Sequence, residues 1–261
     1  MKKSETINYI TNWIQDYHDK NKVEGLVIGV SGGIDSALTS TLCALTGLKT
    51  LCLNMPIRQQ EKQFIRASKH IKWLKNKYNN VNSINIDLTP FFEKFQSTVD
   101  TNAEKSELAL ANSRSRMRML TLYYYAGINN SIVVGTGNKV EDFGIGFYTK
   151  YGDGGVDISP VADLMKSEVF ELSKHLKIND DILNAPPTDG LWDDDRNDED
   201  QIGVSYKDLE KIMLRLEKGE DPKGFSNKIK SYYEIYMGHH NANKHKMVEI
   251  PVCKIPSKLK L

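Results

Sequence analysis

The residues with the clearest chemical potential are Ser31-Gly32-Gly33-Ile34-Asp35-Ser36, which follow the apolar run Leu26 to Val30. An apolar strand that breaks at two glycines and runs into a helix start forms a cradle for an anion. The backbone N–H groups of the first helical turn lack intrahelical partners, and the helix dipole favours negative charge there. The loop has no Gly-Lys-Ser/Thr, so it is not a Walker-type phosphate loop, and it lacks the spaced glycines of a dinucleotide fingerprint. Without a lysine, such a loop holds a pyrophosphate by amides and hydroxyls and needs Mg2+ to balance the charge, which gives Asp35 a purpose. The competing explanation is a tight strand-to-helix turn with an aspartate in the first helical turn.

The elements that must position this loop follow from periodicity. Ser4 to Lys20 carries Ile7, Ile10, Trp13, Ile14 and Tyr17 at helical spacing, and Leu26 to Val30 reads as the first strand. Helices are expected over Asp35 to Leu45, ended by Gly47, over Gln59 to Tyr78, and from Thr89-Pro90; a further helix is expected over Asn102 to Ala126. Strands are expected at Lys49 to Met55, Ser83 to Asp87 and Ser131 to Thr136. This alternation predicts an α/β fold, a doubly wound, mostly parallel sheet flanked by helices, with its ligand crevice at the carboxyl ends of the first, second and fourth strands. Beyond these strands, Phe147 to Asp157 reads as a glycine-rich loop. Lys166 to Leu176, Tyr206 to Glu217 and Lys228 to His239 read as helices, followed by an irregular tail. One domain over residues 1–261, helical toward its C-terminus, is the expected organisation.

Composition narrows the function classes. The chain has 261 residues with 39% hydrophobic and 26% charged, an ordinary globular balance. Its formal net charge of +1 speaks against nucleic acid or a membrane held by bulk electrostatics. No apolar run approaches the ~18 residues of a membrane span, and MKKSETINYI lacks a signal-peptide core, so a cytoplasmic location is expected. Cys43, Cys52 and Cys253 show no metal-ligand spacing.

The string SGGIDS resembles the pyrophosphate loop of adenylating ATP pyrophosphatases, which cleave ATP between the α and β phosphates. Further strings narrow the resemblance to the NAD synthetases: GTGNKVE at 135–141, then FYTKYGDGGVD at 147–157. SRMRM at 115–119, PTDGLW at 187–192, DEDQIGVSY at 198–206 and His245-Lys246 follow in the family's order. The segment EDFGIGFYTK at 141–150 is one residue longer than in some bacterial members.

The resemblance implies roles residue by residue. Asp35 and Glu141 would hold Mg2+, and Asp35 and Lys166 would be the catalytic pair. ATP would lie on Gly29, Val30, Ser31, Gly32, Gly33, Ile34, Asp35 and Ser36, with Thr136 on its adenosine side and Lys166 and Thr188 at its phosphates. Arg116, Lys150, Asp157, His245 and Lys246 would contact deamido-NAD, while Asp153 would hold the amides of its own loop. Arg114 and Arg118 share a helix face that Arg116 does not. The implied reaction attaches the nicotinate carboxylate of deamido-NAD to the α-phosphorus of ATP, and ammonia then displaces AMP. Such a chain leaves no room for a glutamine amidase domain, so free ammonia is the expected nitrogen source unless a separate subunit supplies it. A homodimer is implied, with the helix bearing Tyr123-Tyr124-Tyr125 at its interface. The acidic segment Gly190 to Gly203 is expected to act as a lid. A tRNA-modifying ligase with the same loop would carry a basic patch, which the charge balance does not suggest.

Overall fold

The computed structural model describes residues 1–99, 103–188, 191–192 and 197–260, the backbone alone for 103–105. Asn102 of the expected long helix, and residues 190 and 193–196 of the expected acidic lid, lie outside the described residues.

A helix α1 (Lys3–Asn21) leads into β1 (Gly25–Gly29), α2 (Ile34–Leu45), β2 (Thr50–Asn54), α3 (Glu61–Lys77) and β3 (Val81–Asn85). Then come α4 (Thr89–Gln96), α5 (Ala103–Ile128) and β4 (Ser131–Val134). The strands pair in parallel in the order β3-β2-β1-β4, with Leu26 opposite Thr50 on one side and Ile132 on the other. The chain thus builds outward from β1 to β3 and returns to place β4 on the other edge of β1. That reversal opens a crevice between the carboxyl ends of β1 and β4, as the sequence pattern predicts.

Alternation along the strands divides the core. Leu26, Ile28, Cys52, Ile132 and Val134 face a layer made by Ile10 and Ile14 of α1, Leu38 and Leu42 of α2, and Ile71 and Leu74 of α3. Val27, Leu53 and Val133 face the opposite layer, where Phe92 of α4 and Met117 of α5 pack. Phe92 is fully buried, and burial of such a side chain contributes about 1.5–3 kcal/mol. The sheet is therefore covered on both faces. β3 is Val81–Asn85 rather than Ser83 to Asp87: an edge strand pairs on one side only, so it tolerates the polar Asn82 and Asn85 and shows little apolar pattern.

The second half forms a helical layer of its own. A π-helical turn (Val140–Ile145) precedes α6 (Lys166–His175), α7 (Asp180–Leu183), α8 (Asp198–Ile202), α9 (Tyr206–Glu217) and α10 (Asn227–Met247). Val140, Ile145, Leu209, Ile212 and Tyr236 make a core to which no strand contributes. The segment 141–150, noted above for its extra residue, begins in this π-helical turn. The turn closes at Gly146 (φ +63), where a Cβ would collide with the Asn243 side chain on α10.

The last helix continues well past His239, where the expected helix ends, to Met247. His240 Nδ1 pairs with Gly144 O at 2.7 Å, and Asn243 donates to Ile145 O at 2.9 Å. Polar contacts with a turn hold this extension, so it carries no apolar period. Among the described residues no helix is long and apolar enough to cross a membrane.

Between α2 and α3, His70 is fully buried with its Nε2 against Ser40 Oγ at 3.0 Å. Burial pushes its pKa down from 6.5 to about 4. Below pH 6.5 the unfolded chain takes up a proton that the folded chain refuses, so stability falls as pH drops toward 4 and no further below it. Urea unfolding of the wild type and His70→Gln from pH 7 to pH 4 should show the wild type losing up to about 3 kcal/mol relative to the variant. Parallel curves would remove His70 as the source.

Candidate active site

The loop after β1 is tied to itself. Ser31 N and Ser31 Oγ both lie within hydrogen-bond distance of Ser36 Oγ, at 3.2 and 3.0 Å, and Ser36 Oγ donates to Gly33 O at 3.0 Å. Gly32 has φ +84, and a Cβ there would sit 2.8 Å from Gln63 O and 3.0 Å from Ala67 N of α3. Only glycine allows that turn and that approach. No side chain caps α2 at Gly33, so its first-turn amides remain available to an anion.

Asp35, in that first turn, meets two residues brought from afar. Lys166 Nζ donates to Asp35 Oδ2 at 2.6 Å and to Glu141 Oε1 at 2.9 Å, and its side chain is 6% exposed. Lys166 opens α6, whose start is fixed by Glu168 accepting from Met165 N and by Glu210 accepting from Ser167 N. Asn138, fully buried, accepts from the amides of Val140 and Glu141 through Oδ1 and donates to Asp35 Oδ1 at 3.0 Å through Nδ2. Asn138 therefore caps this turn. On the far side, Tyr206 OH donates to Glu141 Oε1 at 2.6 Å and lies 3.3 Å from Asp198 Oδ2.

These contacts set the charge states. Burial pushes the Asp35 carboxyl up, with Lys166 opposing and the Glu141 charge adding to the rise. Burial also works against Glu141, but Lys166 and the Tyr206 hydroxyl outweigh it and hold that carboxyl below its usual range. For Lys166, burial favours the neutral amine, and the two carboxylates outweigh it, so the ammonium persists. Burial, then the charges of Glu141 and Asp198, push the Tyr206 phenol up, so it remains a donor.

The donor set suits Mg2+. No group of three or more His, Cys, Asp or Glu among the described residues forms a closed metal cage. Two carboxylates beside an anion loop match a cation that keeps several waters and takes its remaining ligands from substrate phosphates.

A cavity of about 250 Å³ lies over this cluster. Of residues 29–36, all but Gly32 line it, together with Thr136, Glu141, Lys166 and Thr188. Gly32 turns instead toward α3. Arg118 lines the cavity too and donates to Met55 O at 3.0 Å and Gln59 Oε1 at 3.2 Å. Arg114, on the same helix face, lies with its guanidinium 4.6 Å from the Phe92 ring centre and donates to Leu191 O at 2.8 Å.

The residues expected at the dinucleotide form a second group. Exposed Arg116 donates to Lys150 O at 3.3 Å, and Lys150 Nζ donates to His245 O at 2.9 Å. Lys246 Nζ donates to Gly146 O and Tyr148 O at 3.0 and 2.9 Å. None of these four lines the cavity. Asp157 also stands apart: its carboxylate accepts from Val133 N at 2.7 Å and from Tyr123 OH at 3.0 Å. Asp153 accepts from Thr149 N and Ser115 Oγ, which makes it the organiser of its loop, as the sequence suggested.

Asn138, Tyr206 and Arg118 escape the sequence reading as site residues. Arg118 had a signal in its spacing from Arg114. Asn138 and Tyr206 had none beyond lying inside recognised strings.

Comparison with known proteins converges on one family. Residues 6–248 match the NAD synthase family model. The NH(3)-dependent NAD(+) synthetase of Mycoplasma genitalium is 37% identical over 206 residues, 78% of this chain and 80% of that protein. The enzyme of the same name from Methanosarcina acetivorans is 38% identical over 218 residues, 82% of each chain. Among solved structures, NMN synthetase from Francisella tularensis superposes with a TM-score of 0.83 at 32% identity, covering 98% of this chain and 100% of that one. With its pyrophosphate-type loop, its paired carboxylates and these relatives, the chain belongs to the NAD synthase family.

Proposed function

We propose that this chain catalyses the ATP-dependent amidation of deamido-NAD with ammonia, through an acyl-adenylate, releasing AMP and pyrophosphate. The observation that carries this reading is Lys166 bridging Asp35 and Glu141 beside the N-terminus of α2, which no side chain caps. We read residues 1–261 as one synthetase domain acting in the cytoplasm as a homodimer. The outer stripe of α5, where Leu120, Tyr124 and Ile128 are exposed at helical spacing, is the surface offered for the second copy.

In this reading the loop amides and the Ser31 and Ser36 hydroxyls cradle the β and γ phosphates, and Thr136 and Thr188 flank the nucleotide. Lys166 carries a permanent charge to the oxygens on which negative charge grows as pyrophosphate departs. Mg2+ held by Asp35 and Glu141 would supply Lewis-acid stabilisation of those same oxygens. The dinucleotide extends toward Arg116, Lys150 and Lys246, whose cations suit its phosphates, and toward His245 and Asp157. No protein nucleophile is required: the substrate carboxylate attacks phosphorus, and ammonia attacks the activated carbonyl. Positioning and electrostatics provide the rate.

The Francisella tularensis neighbour supports a second reading, amidation of nicotinate mononucleotide. The two differ in whether an adenylate moiety must be held beyond the pyridine ribose.

Incubation with ATP, Mg2+, ammonium and deamido-NAD should yield NAD+ and AMP in equal amounts; ADP in place of AMP would overturn the reading. A higher kcat/KM for nicotinate mononucleotide than for deamido-NAD would select the second reading. Asp35→Ala should lower kcat by about 10²-fold or more with the far-UV circular dichroism retained; undiminished turnover would remove Asp35 from the site.

A further inference from the structure

We propose that Tyr206 is a positioning residue for the metal-binding carboxylate of Glu141, holding it in place when Lys166 turns its charge to the substrate phosphates. The inference rests on the placement of Mg2+ on Asp35 and Glu141 made above.

The closest side-chain contact of the Tyr206 hydroxyl is with Glu141. Tyr206 is 6% exposed and packs among Val140, Leu209 and Ile212, where a phenylalanine would bury the same ring without a polar group to satisfy. Its oxygen donates to Glu141 Oε1 at 2.6 Å, shorter than its 3.3 Å approach to Asp198 Oδ2. The ring is held from behind: Ser205 caps α9 by accepting from Asp208 N, and Glu199 accepts from Tyr206 N at 2.8 Å.

Glu141 Oε1 therefore receives two donors, Tyr206 and Lys166. Both of these donors reach the same oxygen, and Asn138, whose amino group donates to Asp35, also acts on the Glu141 carboxylate. Two donors on one oxygen fix the rotation of the carboxylate and leave the other oxygen for a cation. They are not equivalent, however. Lys166 also serves Asp35 and is the group assigned to the phosphates. Once the ammonium shifts toward a triphosphate, the Tyr206 hydroxyl at 2.6 Å is the close donor that still orients Glu141, with Asn138 shared between it and Asp35. It comes from the helical layer, so this bond also ties α9 to the turn that carries the metal ligand.

The test is Mn2+ binding, measured by electron paramagnetic resonance with α,β-methylene ATP, an analogue that resists cleavage between its α and β phosphates. Tyr206→Phe should weaken Mn2+ by about tenfold, in the range found when the partner that orients a metal ligand is removed. In turnover it should raise the Mg2+ concentration for half-maximal rate by a similar factor, with kcat largely restored at saturating Mg2+. Leu209→Ala, a cavity in the same packing cluster, should lower the melting temperature and leave Mn2+ affinity unchanged. Tyr206→Phe with Mn2+ affinity within twofold of wild type overturns the proposal, as does an equal shift in Leu209→Ala. A wild-type protein that binds no Mn2+ with the analogue removes the metal assignment itself, a result separable from either of these.

Discussion

The bridge from Lys166 to Asp35 and Glu141 is the interaction on which the rest of the structure depends. It joins the first turn of α2, the turn after β4 and the first residue of α6 at one point. A buried lysine is tolerated because two carboxylates offset its desolvation, and the carboxylates in turn depend on it. Removing the ammonium would leave two nearby negative charges in a site closed to most water, an arrangement that costs about 3–5 kcal/mol where one partner of a buried pair is lost. The cluster is thus a structural pin as well as a chemical group, and the surrounding elements are arranged to bring its three residues to one end of the sheet.

The topology makes that meeting possible. Each parallel strand ends at the same edge, and the reversal of strand order beside β1 leaves the ends of β1 and β4 open to a ligand. Asp35 arrives a few residues past one end and Glu141 a few residues past the other. Asn138 sets their separation. Its carbonyl oxygen is occupied by two backbone amides, so its amino group has to face Asp35. One buried side chain thereby fixes the relation between the anion loop and the second carboxylate.

Much of this was legible in the sequence, for identifiable reasons. Central strands buried on both faces are short apolar runs, and β1, β2 and β4 stood out. The edge strand β3 was displaced in the reading because its polar residues carry little apolar signal. The SGGIDS loop could be read because glycine and hydroxyl residues at those positions have few other uses. Lys166 could be placed by family resemblance alone: a lysine opening an amphipathic helix has nothing local to reveal that it turns inward. Asn138 and Tyr206 are harder still, since their roles arise from contacts across 103 and 65 residues of sequence. The C-terminal part of α10 went unread because backbone carbonyls of the 144–148 turn hold it, and such contacts leave no periodic trace.

The site also divides labour between two layers. The sheet layer supplies the amides and Asp35, groups suited to the phosphates of ATP. The helical layer supplies Tyr206 directly and orients the turn that carries Glu141. The cations Arg116, Lys150 and Lys246 gather where α5, the 146–151 loop and the end of α10 converge, away from the cavity. Each now donates to a backbone carbonyl, and among the described residues none is in an ion pair with a carboxylate, so its charge is held in place without being neutralised. Cations parked on neutral acceptors can be redirected to phosphate oxygens at low cost, because a charged partner replaces an uncharged one. An ammonium held by carboxylates, as Lys166 is, can move only when another cation takes its place. Under the proposed function the two sets of cations would have different tasks: Arg116, Lys150 and Lys246 would meet substrate by simple exchange of partners, and Lys166 would respond to the joint arrival of metal and triphosphate.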